Sequence, residues 1–362
     1  MIELDSVRDA IADIAVGKAV VVVDDARCNG DLVFGAACAD PALMAFTVRH
    51  TSGFVCVALA GADCERLRLA PMHQRNGGRY RVTVDLRDTG TGISATARAR
   101  TAAALADATS SPEDFSRPGH VVPLQARPGG VLERASQPEA AIDLARLAGL
   151  PPAGVMCTIV SEEHPGELAR SEELKSFAKR HGLKIISIAA LITYRRHTEP
   201  LAVRVAMSRL PTMHGDLSVV RFTGIPDGTE HLAILAGDPH PAVPVYVHNE
   251  CLGGNVVGPI ACACGHAFHE RLAEFAAAGD GIAVYTRVAR PQLACGTLDG
   301  GERAAYAIVH EVAASILFDL GATSLRLLND ATDFTNALHG RGIHITGQES
   351  RQQSTRLPMN VQ

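Results

Sequence analysis

The sequence predicts an α/β (α+β) protein of two layered domains, and three observations carry that prediction. The chain has 362 residues, and a domain commonly takes roughly 100 to 200. Short apolar, β-branched runs alternate with stretches of helical period along the chain, the pattern of sheets covered by helices. Between Leu191 and Pro200 a charged segment ending in Pro breaks the alternation, which places a domain boundary near residue 200.

The elements follow in order. Leu4, Val7, Ile11, Ile14 and Ala15 mark one helical face, with Asp5 or Ser6 as the cap and Gly17 as the stop. Ala19 to Asp25 is a buried strand that delivers two acids to a polar loop, Ala26 to Asp31. Helix 41–52, strand 53–59, a hairpin at Tyr80 to Asp85, a Gly/Thr loop at Thr89 to Ser94, and helices 95–108 and 138–147 come next. Strand 155–160, helix 171–181 and strand 184–188 complete the first domain, residues 1–200. Strands at 203–209, 217–222, 231–235 and 243–247 open the second, residues 201–346, before a helix at 267–278 and a strand at 281–286. A long helix from about Glu302 to Leu320 and a strand at 324–328 close it, and residues 347–362 form a loose tail.

Composition excludes several classes of function. Hydrophobic residues make up 47% and charged residues 20% of the chain, too apolar for a disordered protein. The net charge is -5, the basic residues are scattered and Trp is absent, so neither a basic footprint nor a stacking platform for nucleic acid is present. No run approaches the roughly 18 apolar residues of a membrane span, and the first ten residues, MIELDSVRDA, are not a secretory signal. A soluble cytoplasmic protein is expected. Nine cysteines, an odd number, are then core, catalytic or metal-binding residues rather than a disulfide framework. Cys38, Cys56 and Cys64 sit in apolar surroundings and read as core thiols, whereas Cys28, beside Arg27 and two Asp residues, reads as loop or as reactive thiol.

Several ordered motifs point to a family. DDARCNGDL, RHTSGFVCVAL, TGTGISA, FSRPGHVVPL, PEAAIDLARLAGL and AGVMCTIV in the first domain closely resemble 3,4-dihydroxy-2-butanone 4-phosphate synthase. LPTMHGDL, VHNECLGGNVVG, CACG and ILFDLGATSLRLL in the second resemble GTP cyclohydrolase II. Together they follow the order of the bifunctional riboflavin-biosynthesis proteins. The resemblance implies two activities: magnesium-dependent conversion of ribulose 5-phosphate to 3,4-dihydroxy-2-butanone 4-phosphate and formate, and zinc-dependent opening of the GTP imidazole ring. It also implies a homodimer formed through the first domain.

Measured against the family motifs, the first site departs at its metal ligands. The family loop reads D-D-x-x-R-E-x-E-G-D; here Arg27 and Asp31 match, but Cys28 replaces the metal-binding Glu. In place of the family's R-x-G-H-T-E-A the chain reads RASQPEA, with Gln137 for the ligating His and with Arg134 and Glu139 kept. Thr158 replaces a Glu that acts on substrate. Magnesium, which takes oxygen ligands, is therefore doubtful here. Arg27, Asp31, Thr91, His120, Arg134 and Glu139 are candidates for holding a sugar phosphate, or else persist as loop and packing residues. Asp24, Asp25 and Cys28 are the candidate catalytic groups of an altered site.

In the second domain Cys251, Cys262 and Cys264 match the family's three zinc ligands, and three thiolates with one open position suit a catalytic zinc. His266 or His269 is a candidate fourth ligand. The groups around them are depleted: Tyr246 replaces an Arg, residues 285–306 replace the segment E-G-R-G-I-G-L, and Ile308 and Val309 stand at the family's nucleophilic Arg and neighbouring Asp. GTP opening is not expected, and the zinc is chiefly structural. The reading is a degenerate paralogue, weakly active or non-catalytic, that binds phosphorylated ligands or partner subunits, an intact paralogue included. One alternative is residual or altered magnesium-dependent synthase activity beside an inactive cyclohydrolase half. Another is a zinc hydrolase acting on a substrate other than GTP, with His310 or Glu311 as base.

Overall fold

The computed structural model describes residues 4–72, 80–225, 227–257, 263–288, 300–329 and 332–349. The chain divides into two compact units, Met1–Arg195 and Arg196–Gln362. In the first, α1 (Val7–Ala15) is capped by Ser6, whose side chain accepts from the Asp9 amide at 3.3 Å. Asp5, the other cap expected, instead accepts from Lys184 and from the Ile185 amide. β1 (Val20–Asp24) is buried along its length, as its unbroken apolar run requires; each Val contributes roughly 1.5–3 kcal/mol on burial. The polar loop expected to reach Asp31 is only a tight turn, because β2 (Asn29–Gly35) already begins at Asn29 and pairs back on β1.

α2 (Pro41–His50), capped by Asp40 on the Ala42 and Leu43 amides, leads to β3 (Cys56–Leu59) and α3 (Gly61–Arg66). Among the described residues the segment expected as a hairpin at 80–85 does not fold back on itself: Arg81 pairs antiparallel with Pro71, and β4 (Val84–Leu86) pairs with β5 (Phe115–Gln125), beyond α4 (Ala95–Ala106). Three elements match expectation within a few residues: α5 (Gln137–Leu147), β6 (Ala153–Thr158) and α6 (Ser171–His181). β7 (Ile185–Ser187) runs directly into α7 (Ile188–Thr198), so the charged segment read as a boundary is a helix. Its sequence hid this because Arg195 and Arg196 follow an apolar first turn.

The first sheet runs β4-β5-β3-β6-β2-β1-β7. Val22 stands opposite Asp31, and Asp31 opposite Thr158, so three strands line up one row of residues. α5 lies flat on this sheet because Gly154 removes a side chain: a Cβ there would come 2.6 Å from the Ala141 carbonyl oxygen. Gly154 and Thr158 share a face of β6, which is therefore the face that α5 covers.

In the second unit, β8 (Ala202–Thr212), β9 (Gly215–Gly224) and β10 (Glu230–Ala236) form an antiparallel meander. β11 (Val243–Asn249), α8 (Cys264–Ala278), β12 (Gly281–Thr286), α9 (Gly300–Asp319), β13 (Ser324–Leu327), α10 (Thr332–Gly340) and β14 (His344–Gln348) follow. The sheet order is β14-β13-β11-β12-β10-β9-β8. Phe268, Leu272 and Phe275 of α8 pack on Leu217, Ala236 and Ala283. No helix among the described residues is long and apolar enough to cross a membrane.

Gly154→Ala should cost about 1–3 kcal/mol, because α5 must lift from β6 or strain to admit the methyl. Urea denaturation measures it; an unchanged midpoint and slope would show that α5 is not seated by that glycine.

Candidate functional site

The first site is built at the rim where β1, β2 and β6 meet the amino-terminal end of α5. Asp24, at the end of β1 and 6% exposed, accepts from the Ala26 and Arg27 amides at 3.0 and 3.2 Å. Its carboxylate thus shapes the turn, with the Arg27 guanidinium 4.0 Å away and largely in solvent. Asp25 is exposed and accepts from the Ala189 amide at 2.9 Å, capping α7. Cys28 is exposed, adopts a φ of 57°, and its thiol is directed at the Asp25 carbonyl, 3.8 Å away. The turn therefore directs Asp25 to a helix cap and Cys28 to solvent.

Asp31 is the buried acid of the site, 2% exposed. Burial pushes its carboxyl up to about 6; the Thr158 hydroxyl that donates to it lowers it, Asp24 raises it further and Arg27 opposes. Gln137 opens α5 above this row and is 7% exposed. Its Nε2 donates to the Val22 carbonyl at 2.9 Å, while its Oε1 is buried with no hydrogen-bond partner among the described residues.

Glu139 is 1% exposed and accepts from the Arg127 amide at 3.0 Å and from the Ser136 hydroxyl. It holds together the loop that carries Arg134, whose side chain is exposed. The same loop is pinned by Asp143, which accepts from the Val131 amide at 2.8 Å and from Arg195 at 2.7 Å, while Arg195 also donates to the Gly129 carbonyl. Nothing in the loop's own sequence announces Asp143 or Arg195, since both lie on later helices.

His120 is exposed on β5 and is held by an acid the sequence reading did not select. Asp85 accepts from the His120 amide at 2.8 Å and lies 2.7 Å from its Nδ1. An Nδ1–H donor to this carboxylate fixes the orientation of the imidazole. Gly92, at φ 77°, makes room: a Cβ there would overlap the Asp85 carboxylate. Thr91 beside it is exposed. A usable signal for Asp85 was its place at the end of the apolar alternation that runs from Tyr80.

The donors at this rim do not fit magnesium. The ion takes several oxygen ligands, whereas position 28 offers a thiol turned outward, position 137 a single amide oxygen, one oxygen of Asp25 is drawn to the Ala189 amide, and both oxygens of Glu139 are taken by the Arg127 amide and the Ser136 hydroxyl.

In the second unit Cys251 is buried just after β11, and its sulfur accepts from the Gly254 amide at 3.4 Å. Asn255 Oδ1 accepts from the Cys251 amide at 3.0 Å and from His248 Nε2 at 3.1 Å. Burial lowers the His248 pKa, and the ring lies against Phe268 and Tyr285. Cys264 begins α8 and is half-buried; Gly265 lets that turn abut the Gly254 carbonyl, so the turns bearing Cys251 and Cys264 are neighbours. Thiols are donors that suit zinc, although among the described residues no three His, Cys, Asp or Glu side chains gather into a metal cluster; Cys262 lies outside the described residues. His266 is paired with Glu270 at 3.2 Å and His269 with the half-buried His214 at 3.3 Å; His266, His269 and Glu270 are exposed. Ile308 is 38% exposed, Val309 is buried, and Glu311 faces His197 at 3.5 Å.

Because Asp31 keeps its proton to a higher pH than the unfolded chain does, stability falls as pH rises from 3.8 to about 6. The loss is on the order of 3 kcal/mol, and Asp31→Asn should remove it. Urea denaturation at pH 4 and pH 7 tests this; equal pH dependence in both proteins would show an unperturbed Asp31.

Comparison with known proteins assigns a family to each domain. Residues 8–194 match the family model of 3,4-dihydroxy-2-butanone 4-phosphate synthase, and residues 203–295 that of GTP cyclohydrolase II. The chain is 45% identical to riboflavin biosynthesis protein RibBA of Rhodococcus jostii (strain RHA1), over 97% of this chain and 91% of that protein. It is likewise 45% identical to RibBA of Mycobacterium tuberculosis (strain H37Rv), over 95% and 88%. Its structure is similar to that of RibBX, a two-domain 3,4-dihydroxy-2-butanone 4-phosphate synthase from A. baumannii, with a TM-score of 0.73 and 34% identity over 96% of this chain and all of that one. A synthase solved in complex with two magnesium ions matches 54% of this chain and 99% of its own length, at 37% identity and a TM-score of 0.51. The chain belongs to the riboflavin-biosynthesis family that joins a 3,4-dihydroxy-2-butanone 4-phosphate synthase domain to a GTP cyclohydrolase II domain.

Proposed function

We propose that this member of the family binds a sugar phosphate in its first domain and turns it over weakly or not at all, and that its second domain is a zinc-bearing scaffold without cyclohydrolase activity. The observation that carries the reading is Gln137. Rearranging a ketose phosphate requires its carbonyl to be polarised while protons move between carbons. At the position where the resemblance puts a metal-binding imidazole, Gln137 donates its amide to the Val22 carbonyl. Arg27 and Arg134, both exposed at the rim, supply positive charge for a phosphate, and Asp31 with Thr158 supplies hydrogen bonds for hydroxyls.

In the second domain Cys251, Cys262 and Cys264 would hold zinc, which when bound supplies a polarised water. Cys251 is oriented by the Gly254 amide and by Asn255. Ile308 and Val309 offer neither a nucleophile nor charge for a triphosphate. A cytoplasmic homodimer, alone or with an intact paralogue, completes the reading.

The His120–Asp85 pair favours a second reading, residual synthase activity beside an inactive second half. A general acid–base group is worth roughly 10²–10⁴ in rate, and this one retains its orienting carboxylate at 2.7 Å. That RibBX of A. baumannii is a two-domain synthase points the same way.

Purified protein assayed for formate release should fall at least about 100-fold below a relative with intact motifs, on ribulose 5-phosphate with Mg²⁺ and on GTP with Zn²⁺. Rescue of an auxotroph lacking the synthase would overturn the non-catalytic reading in favour of the second. Elemental analysis should find about one zinc per chain, lost in Cys251→Ala; a zinc-free native protein would remove the scaffold assignment.

A further inference from the structure

We propose that the first domain holds its sugar phosphate without a divalent cation, a hydroxyl of the ligand donating to Gln137 Oε1. The inference rests on the reading that this domain binds a sugar phosphate, and it specifies how.

The residue at issue is buried and half satisfied. Gln137 is 7% exposed, its Nε2 is committed to the Val22 carbonyl at 2.9 Å, and that bond fixes which end of the amide faces away. The remaining oxygen is buried without a partner among the described residues. A buried acceptor left in that state costs about 1–3 kcal/mol, so the site is short of one hydrogen-bond donor. A ligand hydroxyl is such a donor.

A cation is the poorer occupant. Divalent magnesium gathers oxygens around itself and prefers charged ones, yet each carboxylate of this rim already has at least one oxygen held in another contact. Asp24 holds the turn amides, Asp25 caps α7, and Glu139 binds Ser136 and the Arg127 amide. Asp31 remains, in register with Val22 and Thr158 and already bonded to the Thr158 hydroxyl. The ligand proposed would meet one carboxyl, one hydroxyl and one amide oxygen carried at the α5-covered face of the sheet, with the exposed Arg27 and Arg134 on the turn and loop that flank it. Those are groups for polyol hydroxyls and a phosphate. Guanidinium groups can neutralise a phosphate unaided, so no metal is needed to bring the ligand's charge to the site.

The test is isothermal titration of the full chain with ribulose 5-phosphate, once in excess EDTA and once in millimolar MgCl2. Affinities equal within about twofold are expected, with Gln137→Leu weakening binding about tenfold or more in both. Because the leucine variant can lose its fold, its melting is followed by circular dichroism. Gln137→Glu serves as the second variant; it should bind poorly in EDTA and recover with Mg²⁺, since it supplies the charged oxygen that the native site lacks. Binding seen only with Mg²⁺, or a native-like leucine variant that binds as tightly as the parent, overturns the cation-free site and leaves sugar-phosphate binding standing. No heat under either condition overturns both. Formate release in EDTA would support the cation-free site and overturn the non-catalytic reading.

Discussion

The register of β1, β2 and β6 is the constraint on which the first site depends. Side chains alternate faces along a strand, so a slip of one residue would send Asp31 to the opposite side of the sheet. Pairing places Val22, Asp31 and Thr158 in one row, and Gly154, two pleats from Thr158, lets α5 settle over that row. Gln137 then reaches the Val22 carbonyl from above. Backbone geometry therefore brings together residues 22, 31, 137 and 158, which are distant in sequence, and only afterwards does side-chain chemistry decide what they can bind. An amide at 137 and a thiol at 28 leave that geometry intact while changing its chemistry.

Much of this was legible in the sequence, for identifiable reasons. The run Val20 to Val23 can only be a buried strand, and Asp40-Pro41 can hardly be other than a helix start, so both elements fell where expected. Motif spacing singled out Asp31, His120, Arg134, Cys251 and Cys264 as candidates, and the fold sets Asp31 in the β1–β2–β6 row and His120 against Asp85. What stayed hidden depends on partners far along the chain. Asp85 looks like the polar end of a strand until β5 brings His120 to it. Arg195 looks like part of a charged linker until it is found against Asp143, 52 residues earlier. Likewise Asp25 and Glu139 read as chemistry from their motifs, whereas the fold gives them a helix amide and a loop to hold.

The second unit shows the same separation between scaffold and reactivity. Asn255 receives both the Cys251 amide and the His248 ring, and Gly265 admits the Gly254 carbonyl. These contacts define the turns around the sulfurs whatever the rest of the site contains. Apolar Ile308 and Val309 on α9 take part in none of them, which is how such a site can change its reactivity without losing its shape.

Gly92 carries a consequence for how the first domain can change over generations. Any side chain at that position overlaps the Asp85 carboxylate, so the two positions have a fixed order of events. Loss of Asp85 can come first, and it removes the overlap at position 92, leaving only the positive φ to favour glycine there; variation at 92 while Asp85 remains must displace the acid and the His120 imidazole with it. The glycine therefore works as a ratchet, and in this chain it has not yet turned.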